Sequence, residues 1–143
     1  MTLSTINKLD IALSQLDTAL DLYFNGGDKI SVLTLAGAAE EILGRYVENK
    51  GSKSALAHQV HWICEFHKKQ FGIYPPSEKP IYHRANYARN SFKHMNGGND
   101  IEVTVDIDEE VCDMLNRAVD NYWILTEHQT PLMERYEKER SSV

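Results

Sequence analysis

The run INKLDIALSQLDTALDLYFNGGD, residues 6–28, carries apolar side chains at Ile6, Leu9, Leu13, Leu16, Leu20 and Tyr23. Their spacing of 3, 4, 3, 4 and 3 is that of one stripe on an α-helix, which turns once in about 3.6 residues. Asn25-Gly26-Gly27 closes this helix, and Asp28 stands where it can cap the next. The second helix has Ile30, Leu33, Ala36, Ala39, Leu43 and Tyr46 as its stripe and Gly51 as its stop. Two amphipathic helices joined this closely predict an antiparallel hairpin.

Outward from the hairpin the same signals recur. A third helix is predicted from Ser54 to about Phe71, burying Leu56, Val60, Ile63 and Phe66, with a loop at Gly72-Ile73-Tyr74-Pro75-Pro76. Pro80 suits the first turn of a fourth helix, and Gly97-Gly98 its end. Ile101, Val103, Val105 and Ile107 then alternate with polar residues, which predicts an extended segment over 101–107. No second strand is visible, so this segment is isolated or pairs with its copy in another subunit. Asp108 is placed to cap a fifth helix with the stripe Val111, Leu115, Ala118, Tyr122 and Leu125, and Thr130-Pro131 opens a sixth. Residues 137–143, charged or polar, are expected to fray. The predicted fold class is all-α: an up-and-down bundle of five to six helices in a single domain, 1–143.

At 143 residues, with 42% hydrophobic and 25% charged residues, the chain has the length and composition to bury one core. Cys64 and Cys112 fall in helical segments without a second cysteine at metal-binding spacing, and are expected as reduced core thiols. No segment approaches the roughly 18 apolar residues of a membrane span, and the first residues lack a basic head before an apolar run. The expectation is a cytoplasmic protein with no membrane partner. A net charge of -6 argues against broad attraction to nucleic acid while allowing a local basic cleft.

Such a cleft has a candidate. Lys79 to Asn99 holds four Lys/Arg, two His and no carboxylate. On the fourth helix Ile81, Ala85, Ala88 and Phe92 share roughly 60° of arc and form the predicted buried stripe, with Tyr82, Asn86, Arg89 and Lys93 on a flank roughly 100° away. Taken singly, Arg89 reads as a surface ion-pair partner and His94 as a histidine at a helix end. Together they suit phosphodiester chemistry. An imidazole, titrating near pH 6.5 in its ordinary state, serves as acid or base, and a guanidinium offers a forked donor to phosphate oxygens. Asn90, four before His94, can orient the imidazole or the phosphate, and Lys93, four after Arg89, can add a phosphate contact. Asn86 and Tyr82 are the further substrate-binding candidates, Tyr82 by stacking on a base.

Other patterns carry less. His58, His61 and His67 are not read as a ligand set, and no metal and no cofactor is assigned. Asp106, Asp108, Glu109 and Glu110 read as helix-capping acids. Ala36-Gly37-Ala38-Ala39 reads as a place where the second helix admits a close neighbour within the bundle.

The run Arg89-Asn90-x-x-x-His94 resembles the signature of the HEPN superfamily, an arginine commonly followed by a polar residue, then a histidine after a gap of four to six. Ala36-Gly37-Ala38-Ala39-Glu40-Glu41-Ile42-Leu43 is similar to the Ala-rich, Glu-bearing upstream helix usual there, and helix order and length agree over most of the chain. The resemblance implies a helical bundle, a homodimer whose motifs line a shared cleft, and, in many members, metal-independent cleavage of RNA. The expected function is therefore an endoribonuclease working by 2′-hydroxyl attack, a toxin or defence component with a cognate inhibitor protein among its partners, with Arg89, Asn90 and His94 as the working set. The alternative is a non-catalytic module that binds RNA, a nucleotide or a protein partner. Arg89 and His94 lie about 140° apart around an uninterrupted helix. Either the helix loosens before Gly97-Gly98, or two subunits contribute the two groups to one cleft.

Overall fold

Short polar side chains set the helix starts. Asn7 Oδ1 accepts the Leu9 N–H at 2.7 Å ahead of α1 (Lys8–Phe24), and Asp28 Oδ2 accepts the Ser31 N–H at 2.9 Å ahead of α2 (Lys29–Asn49). Ser54 Oγ does the same for α3 (Ala55–Phe71), taking the Ala57 N–H at 3.2 Å. The computed structural model describes residues 1–143 and contains seven helices and no strand. The remaining four are α4 (Lys79–Ala85), α5 (Tyr87–Ser91), α6 (Ile107–Thr126) and α7 (Pro131–Ser141). No helix is long and apolar enough to cross a membrane.

The most extensive packing is α2 against α6 and α1 against α2. Leu16 and Leu20 of α1, Leu33 and Leu43 of α2, and Met114 and Leu115 of α6 are fully buried at these contacts, with Ala88 of α5 and Met133 of α7 closing the core. Ala36 and Ala39 sit in the same cluster and keep the axes close. The all-α bundle expected from the stripes is the fold observed.

Several details differ. The predicted fourth helix is two short ones, interrupted at Asn86, and it ends at Ser91 rather than at Gly97-Gly98. Residues 101–107 form no strand, because an isolated alternating segment has no ladder to satisfy its backbone. Ile101 is 71% exposed, while Val105 and Ile107 pack on the core. The cap of α6 is Asp106, whose Oδ1 accepts the Asp108 and Glu109 N–H groups at 3.1 Å each, so Asp108 lies inside the helix. Residues 137–141 continue α7 instead of fraying, since Arg140 pairs with Asp120 at 2.6 Å and with Glu137. Cys64 is buried, whereas Cys112 is exposed and not a core thiol.

The largest departure concerns α3. Its buried residues are Ala55, Leu56, Val60 and Cys64, and the last three group apart from the main core under Ile81, Tyr82 and Ala85 of α4. Ile63 and Phe66, predicted to be buried, are 49% and 63% exposed, and Trp62 and Phe71 are exposed beside them. The covered line of α3 is Leu56, Val60 and Cys64; Ile63 is turned about 100° from Cys64 around the helix, and Phe66 lies beyond the last covered residue. Phe66→Ala is accordingly expected to cost less than about 1 kcal/mol in urea unfolding, against about 2–5 kcal/mol for Leu115→Ala. Equal losses would mean that Phe66 is packed in the folded protein.

Candidate functional site

A buried arginine shapes the segment that carries the motif. Arg117 has no exposed side-chain surface and shares its face of α6 with Met114, Ala118 and Asn121, all buried. A guanidinium taken out of water needs acceptors for its donors. Nη2 donates to Glu40 Oε1 and to Asn86 Oδ1, both at 2.7 Å, and Nε reaches Glu40 Oε1 at 3.2 Å. Nη1 donates to the Ala85 carbonyl at 2.9 Å, with Asp113 Oδ2 at 3.5 Å. In an unbroken helix the Ala85 carbonyl would accept the Arg89 N–H. Engaged by Arg117, it leaves the ladder open, and Asn86 takes φ −103°, ψ 2° between α4 and α5.

The interruption directs Arg89 onto α2. Its Nη1 donates to Glu40 Oε2 at 2.8 Å, so the one carboxylate of Glu40 serves two guanidinia. The Arg89 and Glu40 side chains are 11% and 4% exposed, which rules out the ordinary surface ion pair. The stem of Arg89 crosses α2 at Gly37, where a Cβ would lie 2.7 Å from Arg89 Cγ. The small-residue run of α2 thus admits a side chain as well as a neighbouring helix.

The other motif residues part company. Asn90 is exposed, and its Oδ1 accepts from Arg89 Nε at 3.3 Å, so within the chain it orients the arginine and not the imidazole. Lys93 Nζ bonds Glu41 Oε2 at 3.0 Å, and this bond, more than the neighbouring Arg89 charge, holds the Glu41 carboxyl below its usual range against the opposing effect of burial. His94 lies past the end of α5, its N–H on the Asn90 carbonyl at 3.1 Å and its side chain in solvent.

Of the flank expected from helical phase, Tyr82, Asn86 and Arg89 line one open cavity of about 160 Å³ between α2 and α4–α5, and Lys93 does not. Glu41, Arg45 and Glu48 of α2 form its opposite wall, and Glu40 its floor beside Arg89. Burial, followed by the charges of Glu78 and Glu48, raises the Tyr82 pKa, so its hydroxyl stays protonated and available to donate. His94 is not part of this wall. The cavity can hold a small polar group against Arg89; bringing an imidazole to that group takes a second copy of the chain or a rearranged 92–106 segment.

Sequence reasoning passed over Arg117, Arg45 and the role of Glu40. Arg117 carried a legible signal, a lone cation at the phase of Met114 and Asn121 on an otherwise apolar face. Of the histidines weighed as ligands, His67 is held by the Ile73 carbonyl at 2.8 Å, and no three His, Cys, Asp or Glu side chains group to hold a metal ion.

Replacing glycine by alanine within a helix ordinarily stabilises by about 0.5–1 kcal/mol. Gly37→Ala is expected instead to destabilise by about 1–3 kcal/mol in urea unfolding, because the new methyl overlaps the Arg89 stem. A gain in stability would show that Arg89 does not cross α2 there. Compared with family models, curated proteins and solved structures, the chain gives no match, and the functional reading rests on this geometry.

Proposed function

We propose that the chain is a HEPN-like, metal-independent endoribonuclease that acts as a homodimer. The observation that carries this reading is the clamped Arg89: a guanidinium fixed by a buried carboxylate, opening on a polar cavity, five residues before a solvent-facing imidazole. A surface salt bridge would need no such support. A preorganised cation does, because it stabilises charge that grows on phosphate oxygens only if it does not have to reorganise.

In the proposed reaction an imidazole removes the proton of an RNA 2′-hydroxyl, and the 2′-oxygen bonds to the adjacent phosphorus. The bond from phosphorus to the 5′-oxygen breaks, and that oxygen takes a proton from an imidazolium. The products are a 2′,3′-cyclic phosphate and a 5′-hydroxyl, with no net change in protons. Arg89 holds the phosphorane oxygens, Asn90 steadies Arg89, and Tyr82 and Asn86 bind the nucleotide on the cavity side. Two-fold pairing supplies two His94 side chains, one as base and one as acid. The outward apolar residues of α3, Trp62, Ile63 and Phe66, offer surface for such an assembly.

One observation favours the second reading, a non-catalytic module binding RNA or a nucleotide: within one chain His94 does not line the cavity of Arg89. The two readings separate in one assay. Purified protein should be dimeric by sedimentation, should cleave RNA in EDTA with cyclic phosphate ends, and should lose about 10²–10⁴-fold in rate on His94→Ala. Cleavage unchanged in His94→Ala would move the chemistry elsewhere, and binding of RNA without cleavage would leave the module.

A further inference from the structure

The cavity beside Arg89 contains a cation without a carboxylate partner. Arg45 stands one turn beyond Glu41 on α2, exposed, and makes no ion pair. The carboxylates around it are engaged in different degrees. Glu40 is shared by Arg89 and Arg117, Glu41 is bonded by Lys93, and Glu48 accepts the Ser54 hydroxyl at 3.1 Å. The donors with no acceptor inside the chain are therefore the guanidinium of Arg45, Nη2 of Arg89, the amide nitrogen of Asn86 and the hydroxyl of Tyr82. Asn86 and Arg89 already spend their other polar atoms on the clamp, Asn86 Oδ1 at 2.7 Å from Arg117 Nη2 and Arg89 Nη1 at 2.8 Å from Glu40 Oε2. This orientation leaves donors as the free polar atoms of both residues.

A set of donors made of one whole guanidinium, the free nitrogen of another, an amide and a hydroxyl calls for an anion with several oxygens, and tetrahedral phosphate offers them in more than one direction. The cavity, about 160 Å³ and open to solvent, has room for such a group. We infer that this cavity is a phosphate subsite in which Arg45 acts with Arg89, holding a phosphate of the RNA backbone. It deepens the phosphodiester reading and rests on it. Glu48 on the rim carries the opposite charge, and its place there limits entry to a group that satisfies both guanidinia at once.

Inorganic phosphate alone tests the site. Calorimetric titration of the full chain should give saturable phosphate binding, matched by sulfate and not by chloride, and weakened at least tenfold by Arg45→Met with Arg45→Lys intermediate. Arg45 is exposed and unbonded, so these variants should melt as the wild type does; Tyr82→Phe, lacking one donor, should weaken phosphate less than Arg45→Met. Phosphate affinity unchanged by Arg45→Met, or binding of spermidine in place of phosphate, overturns the inference. RNA cleavage measured on the same samples keeps the two readings apart. Cleavage that survives in a protein indifferent to phosphate sinks the subsite alone. Arg45-dependent phosphate binding in a protein inert toward RNA sustains the subsite and removes the catalytic reading.

Discussion

The carboxylate of Glu40 lies between two guanidinia, with Arg117 at 2.7 Å on one oxygen and Arg89 at 2.8 Å on the other. Desolvating three charges is costly, and in such a group the attraction in a low-dielectric interior roughly offsets that cost, so its value to the fold lies less in net stability than in geometry. The ties run from α2 to α6 and from α2 to α5. A third, from Arg117 to Asn86 and the Ala85 carbonyl, fixes the place where α4 gives way to α5. Removing Glu40 would leave two cations facing each other in a dry space, which is why none of the three moves independently.

That dependence explains what was legible in the sequence. Apolar spacing and short polar caps revealed the helices, since both are local, as Leu9 through Leu20 and Asp28 illustrate. Helical phase also grouped Tyr82, Asn86, Arg89 and Lys93; the first three do share a wall, and Lys93, past the end of α5, does not. The break at Asn86 was not legible, because neither glycine nor proline marks it; its cause is Arg117, 31 positions away. Glu40 could be noted as a glutamate in an Ala-rich helix, but its pairing with Arg89 spans 49 positions and with Arg117 spans 77. Ile63 and Phe66 misled for a related reason: a stripe says which face is apolar, and only the lie of the bundle says which part of that face, around and along the helix, is covered.

The clamp also bears on function. An arginine free in solution reorganises when it meets a phosphate, whereas Arg89 is held by Glu40 and Asn90 with one nitrogen left over. His94 has the opposite character, solvent-facing and beyond the last helical turn. One held cation and one solvent-facing imidazole are separated in the single chain, and the proposed two-subunit cleft is what would bring them together. The positive stretch of Lys79 to Asn99 is then partly spent inside the molecule, with Lys93 and Arg89 matched by acids of α2. The remaining cation of the cavity, Arg45, comes from outside that stretch.

The state of the Arg89 guanidinium is the most direct test of this account. Side-chain ¹H–¹⁵N NMR of the wild type should show Arg89 and Arg117 Nε–H resonances that exchange slowly with solvent and resolved Nη protons reporting hindered rotation, with the Arg89 signals lost in Glu40→Gln while the helical spectrum persists. A wild-type Arg89 that rotates freely and exchanges as fast as Arg45 would contradict it.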